Sequence, residues 1–130
     1  MKIYPLKDGD YSVDRSKNFT YLKDIDIVKN LKMAVQPFLV ETADNLVLLD
    51  AGLGWMGNGI PKIHSNMIKA GFQPKDVKLV MLSHLHKDHI DGLVNREKND
   101  WTLNFPNAEV YLQKREYDFA LSKEGSPSFD

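Results

Sequence analysis

The chain has 130 residues, enough for one domain with a real core, and its 17 basic and 18 acidic side chains leave a formal net charge of −1. That balance offers no electrostatic attraction to nucleic acid or to an anionic membrane surface. Cysteine is absent, which excludes a disulfide framework and a thiolate metal site, so any transition-metal site must use histidine and carboxylate.

Residues 1–14 alternate polar and apolar side chains and lack the unbroken apolar stretch of a signal peptide. No segment approaches the length of a membrane-spanning helix, so a cytoplasmic protein is the expectation. Residues 2–6 and 11–14 read as strands flanking Lys7-Asp8-Gly9-Asp10, a hairpin turn. From 15 to 30 the pattern is irregular and polar, which predicts a loop. Residues 31–35 alternate as a half-buried strand does. Pro37 has no amide to donate and marks an edge or a bulge, after which Phe38-Leu39-Val40 resumes the strand. Thr42-Ala43-Asp44-Asn45 turns the chain into Leu46-Val47-Leu48-Leu49, an apolar run typical of a buried strand.

A glycine-rich loop follows, and Pro61 suits the first turn of a helix. Ile60, Ile63, Met67 and Ile68 recur at near-helical spacing, with Gly71 as the stop. Residues 77–82 form another buried strand, then a short helical piece lies around 90–94, a strand at 108–112 and a helix at 114–121. A β-meander, then strand–helix–strand, then strand–helix, predicts an α/β domain: a mixed sheet with helices packed on one face. No internal repeat or interdomain linker interrupts it.

Three of the four histidines fall within six residues, in His84-Leu85-His86-Lys87-Asp88-His89-Ile90-Asp91-Gly92. In an extended stretch residues two apart face the same side, so His84 and His86 can reach one metal, at about 2.0–2.1 Å for zinc. Asp88 and His89 follow where the chain turns into a helix and can face a second metal, about 3.5–4 Å away in two-metal sites. The cluster starts just past a buried strand, where ligand sites of such sheets lie. The alternative is three exposed histidines in a surface loop.

This segment resembles the H-x-H-x-D-H-x-x-G signature of the metallo-β-lactamase superfamily, with Gly92 as its terminal glycine. Leu46-Val47-Leu48-Leu49-Asp50-Ala51-Gly52 resembles the strand-Asp-x-Gly element that precedes the signature. Phe105-Pro106-Asn107-Ala108-Glu109-Val110-Tyr111, with Glu116-Tyr117, is similar to the stretch after it in the lactonase and glyoxalase-II-like branch. The resemblance runs from about residue 1 to 121 and implies the N-terminal half of an αββα domain, so that residues 1–130 make a single partial domain. It also implies a dinuclear site, zinc first and iron, manganese or nickel as alternatives, with His84, His86, Asp88 and His89 as ligands. Asp50 would then brace a ligand from behind, or else merely form the turn at a strand end. The implied activity is hydrolysis of a lactone, thioester or related acyl compound by metal-activated water, with Asp88 carrying a proton to the leaving group. Iron-dependent oxidation and a non-catalytic metal-binding half-domain are the alternatives. Neither nucleic acid nor membrane is implied as partner; a homo-oligomer is possible.

The superfamily completes its site with a later histidine, a bridging carboxylate and a last histidine, whereas no histidine follows His89 here. Two protein ligands for each metal fall short of the three usual at catalytic zinc, so this chain alone is expected to be inactive. His64 lies earlier on the predicted helix, beside its apolar stripe, and reads as a boundary residue and not a ligand. Gly52-Leu53-Gly54-Trp55-Met56-Gly57 satisfies G-x-G-x-x-G after a strand, the pattern of a dinucleotide-binding turn. The predicted helix starts only near Pro61, however, and no acidic residue ends the next strand, so a nucleotide is not expected. Trp55 and Met56 either line the mouth of a substrate pocket or, for Trp55, pack on the core or on a second subunit.

Overall fold

The computed structural model describes residues 1–23, 30–97 and 100–129. In chain order its strands are β1 (Lys2–Pro5), β2 (Gly9–Val13), β3 (Phe19–Tyr21), β4 (Leu31–Val35), β5 (Phe38–Glu41), β6 (Leu46–Leu49), β7 (Met56–Gly57), β8 (Ile60–Pro61), β9 (Leu79–Met81), β10 (Val94–Glu97), β11 (Asp100–Leu103) and β12 (Glu109–Tyr111). The α-helices are α1 (Lys62–Lys69), α2 (Lys87–Ile90) and α3 (Lys114–Leu121).

The main sheet has the order β1-β5-β6-β9-β12. Its first three strands run antiparallel and β6, β9 and β12 run parallel, which makes it the mixed sheet expected of this α/β chain. The turn between β5 and β6 closes as the sequence predicts: the Thr42 hydroxyl accepts from the amides of Asp44 and Asn45. The crossover from β6 to β9 carries α1, whose Ile63 and Met67 stand one turn apart and are wholly buried. Gly71, at φ +93°, ends the segment in the left-handed conformation that glycine tolerates best.

Strand register sorts the side chains into two faces. Tyr4, Leu39, Leu48, Val80 and Val110 form one row across the sheet, and Leu39, Leu48 and Val80 join Ile63 and Met67 in the core. The neighbouring row, Pro5, Phe38, Leu49, Met81 and Tyr111, points to the other side, where Phe38, Leu49, Met81 and Tyr111 remain exposed.

Residues 7–10 do not form the predicted hairpin. Strand β1 pairs with β5, while β2 pairs with β3 and β4 in a second sheet of order β3-β2-β4. The two ladders are continuous, because Leu6 N–H donates to Pro37 O at 2.9 Å and Asp8 N–H donates to Val35 O at 2.9 Å. Gly9 also registers with Val35, so two residues oppose one and Asp8-Gly9 is a bulge in a bent strand pair. Burial decides against a solvent turn: Asp8 is only 1% exposed. Pro37 lies on the partner strand, two residues past the bulge.

The predicted loop over 15–30 contains β3, an aromatic and β-branched triplet that pairs with β2; residues 24–29 lie outside the described part. The helical piece around 90–94 begins earlier, with α2 at Lys87 and a 3₁₀ turn over Asp91–Leu93. A hairpin of β10 and β11 follows, in a stretch for which the sequence suggests no element. Arg96 lies over the Trp101 ring there, 4.4 Å from its centroid.

Leu48→Ala, at the centre of the buried row, should lower the unfolding free energy by about 2–5 kcal/mol, read from urea denaturation. A loss within about 0.5 kcal/mol, the range of surface substitutions, would mean that this row is not the core.

Candidate metal centre

Parallel β6 and β9 end side by side, with Leu49 opposite Met81, and the candidate residues emerge there. Asp50 follows β6 at φ 58°, a left-handed conformation that most side chains avoid and aspartate tolerates. Its amide donates to Met81 O at 3.0 Å. Its carboxylate then collects the next segment: Ser83 N–H donates to Oδ1 at 2.7 Å, Ser83 Oγ–H to Oδ2 at 2.8 Å, and His89 Nδ1 lies 2.8 Å from Oδ2.

The histidine segment is held from several sides. Leu85 N–H donates to Glu116 Oε1 of α3 at 3.0 Å. Lys87 N–H donates to Ser128 O at 3.0 Å, and the Phe129 ring meets His86 edge-on at 4.8 Å. Extended backbone at His86 gives way to α2, which swings Asp88 and His89 back toward His84. The ring centroids of His84 and His86 are 4.5 Å apart, and those of His84 and His89 are 3.9 Å apart. Asp88 Oδ2 lies 3.4 Å from His89 Nε2. All four candidate ligands and Asp50 thus gather at one place, with His84 nearer to His89 than to its expected partner His86.

Burial alone would raise Asp50 and Asp88, but hydrogen bonds from His89, and for Asp50 also from Ser83, hold both carboxyls below their ordinary value. Burial likewise opposes the charged form of His89, and the hydrogen bonds to Asp50 and Asp88 overcome it, pushing the imidazole up to about 9. His84 is pushed down by burial and by the neighbouring His89 and His86. The two carboxylates thus flank His89 from either ring nitrogen.

Among the described residues no three such side chains already converge on a single cation position. The donor set nevertheless fits a borderline transition metal by its chemistry: three imidazoles and a carboxylate linked by neighbouring contacts, and no thiol. Lys17, Phe19 and Met33 line a hollow of about 160 Å³ with His84, His86, Asp88 and His89. Phe19 and Met33 stand on β3 and β4, so the small sheet forms a wall of the pocket. Trp55 and Met56 do not line it. Trp55 stacks on Tyr21 at 5.0 Å and meets Tyr11 edge-on, and Met56 borders a separate hollow with Asp91 and Arg96.

Behind the histidines the packing is between backbones. Ala51 N–H donates to His89 O at 2.8 Å, and Gly92 N–H donates to Gly52 O at 3.0 Å. A Cβ added at Gly92 would overlap the Ala51 carbonyl. Buried Asn104 donates through Nδ2 to Gly92 O at 3.0 Å. His64 is half-buried and apart from the other histidines; its Nε2 is engaged by Asn104 O at 3.0 Å, and burial lowers its pKa. It is the boundary residue that its place on the helix predicts. The sequence assigns no site role to Glu116, Asn104 or Ser83, since their tasks depend on contacts across the fold. For Ser83, its position opposite Asp50 at the end of a neighbouring strand was the available signal.

Comparison with known proteins bears on this arrangement. Residues 33–110 match the family model described as the metallo-beta-lactamase superfamily. An N-acyl homoserine lactonase from Bacillus thuringiensis is 28% identical over 143 aligned residues, covering 95% of this chain and 52% of that protein. N-acyl homoserine lactonase AttM from Agrobacterium fabrum is 45% identical over 58 residues, 44% of this chain and 19% of that one. Among solved structures, the hydrolase AbOPH of the beta lactamase superfamily superposes with a TM-score of 0.67 at 30% identity, covering 92% of this chain and 43% of its own. AidC, a dizinc quorum-quenching lactonase, gives 0.66 at 25% identity, with 92% and 44% covered. The chain thus spans about half the length, or less, of the curated relatives it matches.

Gly92→Ala should destabilise the fold by at least about 3 kcal/mol, the upper end of overpacking costs, because the obstacle is backbone and cannot rotate away. Thermal unfolding checks this; an unchanged midpoint would mean that residues 89–92 do not press on residues 51–52.

Proposed function

This chain belongs to the metallo-beta-lactamase superfamily, and on that premise we propose that it is the N-terminal part of a metal-dependent hydrolase of lactones or related acyl compounds. The observation that carries the reading is the gathering of His84, His86, Asp88 and His89 beyond the ends of β6 and β9, with Asp50 behind them. It agrees with the matched relatives named as N-acyl homoserine lactonases, one of them aligned along 95% of this chain.

In this reading His84 and His86 hold one ion, and Asp88 and His89 hold a second, zinc in the first instance. When bound, such ions make hydroxide available near neutral pH and polarise a substrate carbonyl. The chain's own groups prepare that chemistry. Asp50 Oδ2 engages His89 Nδ1, which selects the tautomer and aims Nε2 toward the site. Ser83 ties the same carboxylate to the histidine segment through both its amide and its hydroxyl. Asp88 is the acceptor placed to take a proton at Oδ2 and return it to the leaving oxygen. Phe19 and Met33 keep one side of the pocket apolar, suited to the hydrocarbon part of an acyl substrate. Typical ligand pockets measure about 300–1,000 Å³, so the hollow of about 160 Å³ formed here takes the reacting end of a substrate and not its whole length.

Two ligands from this chain for each ion leave both short of three, so turnover is expected from the longer polypeptide and not from residues 1–130 alone. The test is zinc content and hydrolysis of an N-acyl homoserine lactone by the full-length protein. His86→Ala should remove most metal from the first position and lower kcat/KM by more than the roughly 10–100-fold typical of outer partners; wild-type metal content and rate would contradict the assignment. Asp50→Asn keeps a side chain that tolerates φ > 0 but loses the charge and one acceptor, so metal affinity or activity, falling about 10–100-fold, should suffer more than folding stability. If affinity and rate both stayed at wild type, Asp50 would be a turn residue only.

A further inference from the structure

The glycine-rich segment Gly52-Leu53-Gly54-Trp55-Met56-Gly57 lies outside the candidate ligand set, and α1 starts five residues beyond it, whereas a dinucleotide-binding turn leads directly into a helix. Its backbone is nonetheless that of an anion host. Gly52 and Gly54 sit at φ +76° and +72°, on either side of Leu53, and left-handed residues in such turns bring successive N–H groups toward one point.

That point is already occupied from within the chain. The Asp8 carboxylate accepts from Leu53 N–H at 2.8 Å. Burial holds the Asp8 carboxyl above its ordinary value, and the amides of Leu53, Trp55 and Gly54, with the charge of Lys62, offset this only in part. The bulge opposite Val35 delivers Asp8 to this position. The fit is close: a Cβ on Gly52 would stand 3.0 Å from Asp8 Oδ2 and 3.2 Å from Pro37 Cγ. The second oxygen, Oδ1, is buried without a hydrogen-bond partner among the described residues, so the cradle grips the carboxylate by one oxygen.

The opposite side of the same loop carries the histidine segment. Ala51 N–H bonds His89 O and Gly92 N–H bonds Gly52 O, and a Cβ on Gly54 would stand 3.1 Å from Asp91 O. The loop is thereby clamped between Asp8 and residues 89–92. We propose that Asp8 is a positioning residue: its carboxylate is the resident anion of the amide cradle at residues 53–55, and it fixes the loop that places His89 and Gly92.

The experiment uses the full-length protein, with formate as an untethered carboxylate. In Asp8→Ala without metal, formate should shift the Leu53, Gly54 and Trp55 amide resonances saturably, and the same titration of wild type should not. Zinc affinity of Asp8→Ala should fall about tenfold, the lower end for partners outside the ligand set, and formate should restore most of it. Absence of the amide shifts, or wild-type zinc affinity in the folded variant, would overturn the proposal. If Asp8→Ala does not fold, Asp8→Asn is read instead, since it keeps an acceptor and loses the charge. Its Leu53 amide should move upfield and its zinc affinity fall by a smaller factor; a resonance and an affinity equal to wild type would overturn the proposal. The zinc measurement rests on the metal-centre reading, whereas the formate titration does not. A wild type that binds no zinc would defeat that reading, and the amide shifts alone would then decide about Asp8.

Discussion

Asp50 stands where two parallel strands end, and the local structure turns on what its carboxylate does there. Three donors converge on two oxygens: the amide and hydroxyl of Ser83 and the imidazole of His89. Hydrogen bonds to a charged group contribute about 1.5–3 kcal/mol each, enough to offset the cost of a left-handed backbone at a non-glycine residue, about 1–3 kcal/mol. The unusual φ has a geometric consequence. It ends β6 abruptly and turns the side chain toward the neighbouring strand, where a continued extended backbone would have carried it past. The histidine segment is then tied to the sheet at Ser83 and again six residues later at His89, and the three rings between and at those ties are crowded into contact.

The loop after Asp50 shows how one backbone device serves opposite ends. A turn of left-handed glycines presents N–H groups to an anion whether that anion is a phosphate or a carboxylate. What separates the outcomes is what stands in front of the turn. Dinucleotide-binding turns lead directly into a helix that faces the ligand; here a short β7–β8 hairpin intervenes, and a carboxylate on a bulged strand reaches the cradle first. A pattern of glycines reports the conformation of the turn, and the occupant depends on contacts distant in the chain. Asp8 and Leu53 are 45 residues apart, which is why the glycine pattern alone could not distinguish the two.

The same distinction between local and distant interactions explains what was legible in the sequence. Elements whose signal is local came through: strand β6, although only Leu46 and Leu48 of its apolar run are buried, the turn at Thr42, the helix between Pro61 and Gly71, and the histidine cluster with its aspartate. The Lys7-Asp8-Gly9-Asp10 turn did not, because turn-forming residues also build bulges, and only pairing with residues 35–37 decides between them. Strand β3 was hidden in a polar stretch since three residues are too few to show a period. The β10–β11 hairpin lacks a buried face among its described residues, so no alternation marked it. Of the candidate ligands, the sequence indicated which residues meet. Which ring lies nearest which depended on α2 starting at Lys87, one turn earlier than the apolar pattern suggested.

The histidine cluster is supported on its far side by groups outside the candidate ligand set. His64 on α1 engages the carbonyl of Asn104, and a carbonyl only accepts, so Nε2 must carry the hydrogen. Asn104 in turn donates to Gly92 O, while its own amide donates to Leu93 O. Asn104 is buried, and leaving a buried polar group unpaired costs about 1–3 kcal/mol, so these bonds act together to keep residues 92–93 in register with α1. Gly92 meanwhile touches the Ala51–Gly52 backbone with no space for a side chain. The turn bearing Asp88 and His89 is therefore confined between α1 through Asn104 on one side and the glycine loop with Asp8 on the other. Asp50 holds that turn directly, and His64 and Asn104 link it to α1, whose Ile63 and Met67 pack in the core. His64, apart from the cluster, thus helps to place the three histidines that gather at the candidate site.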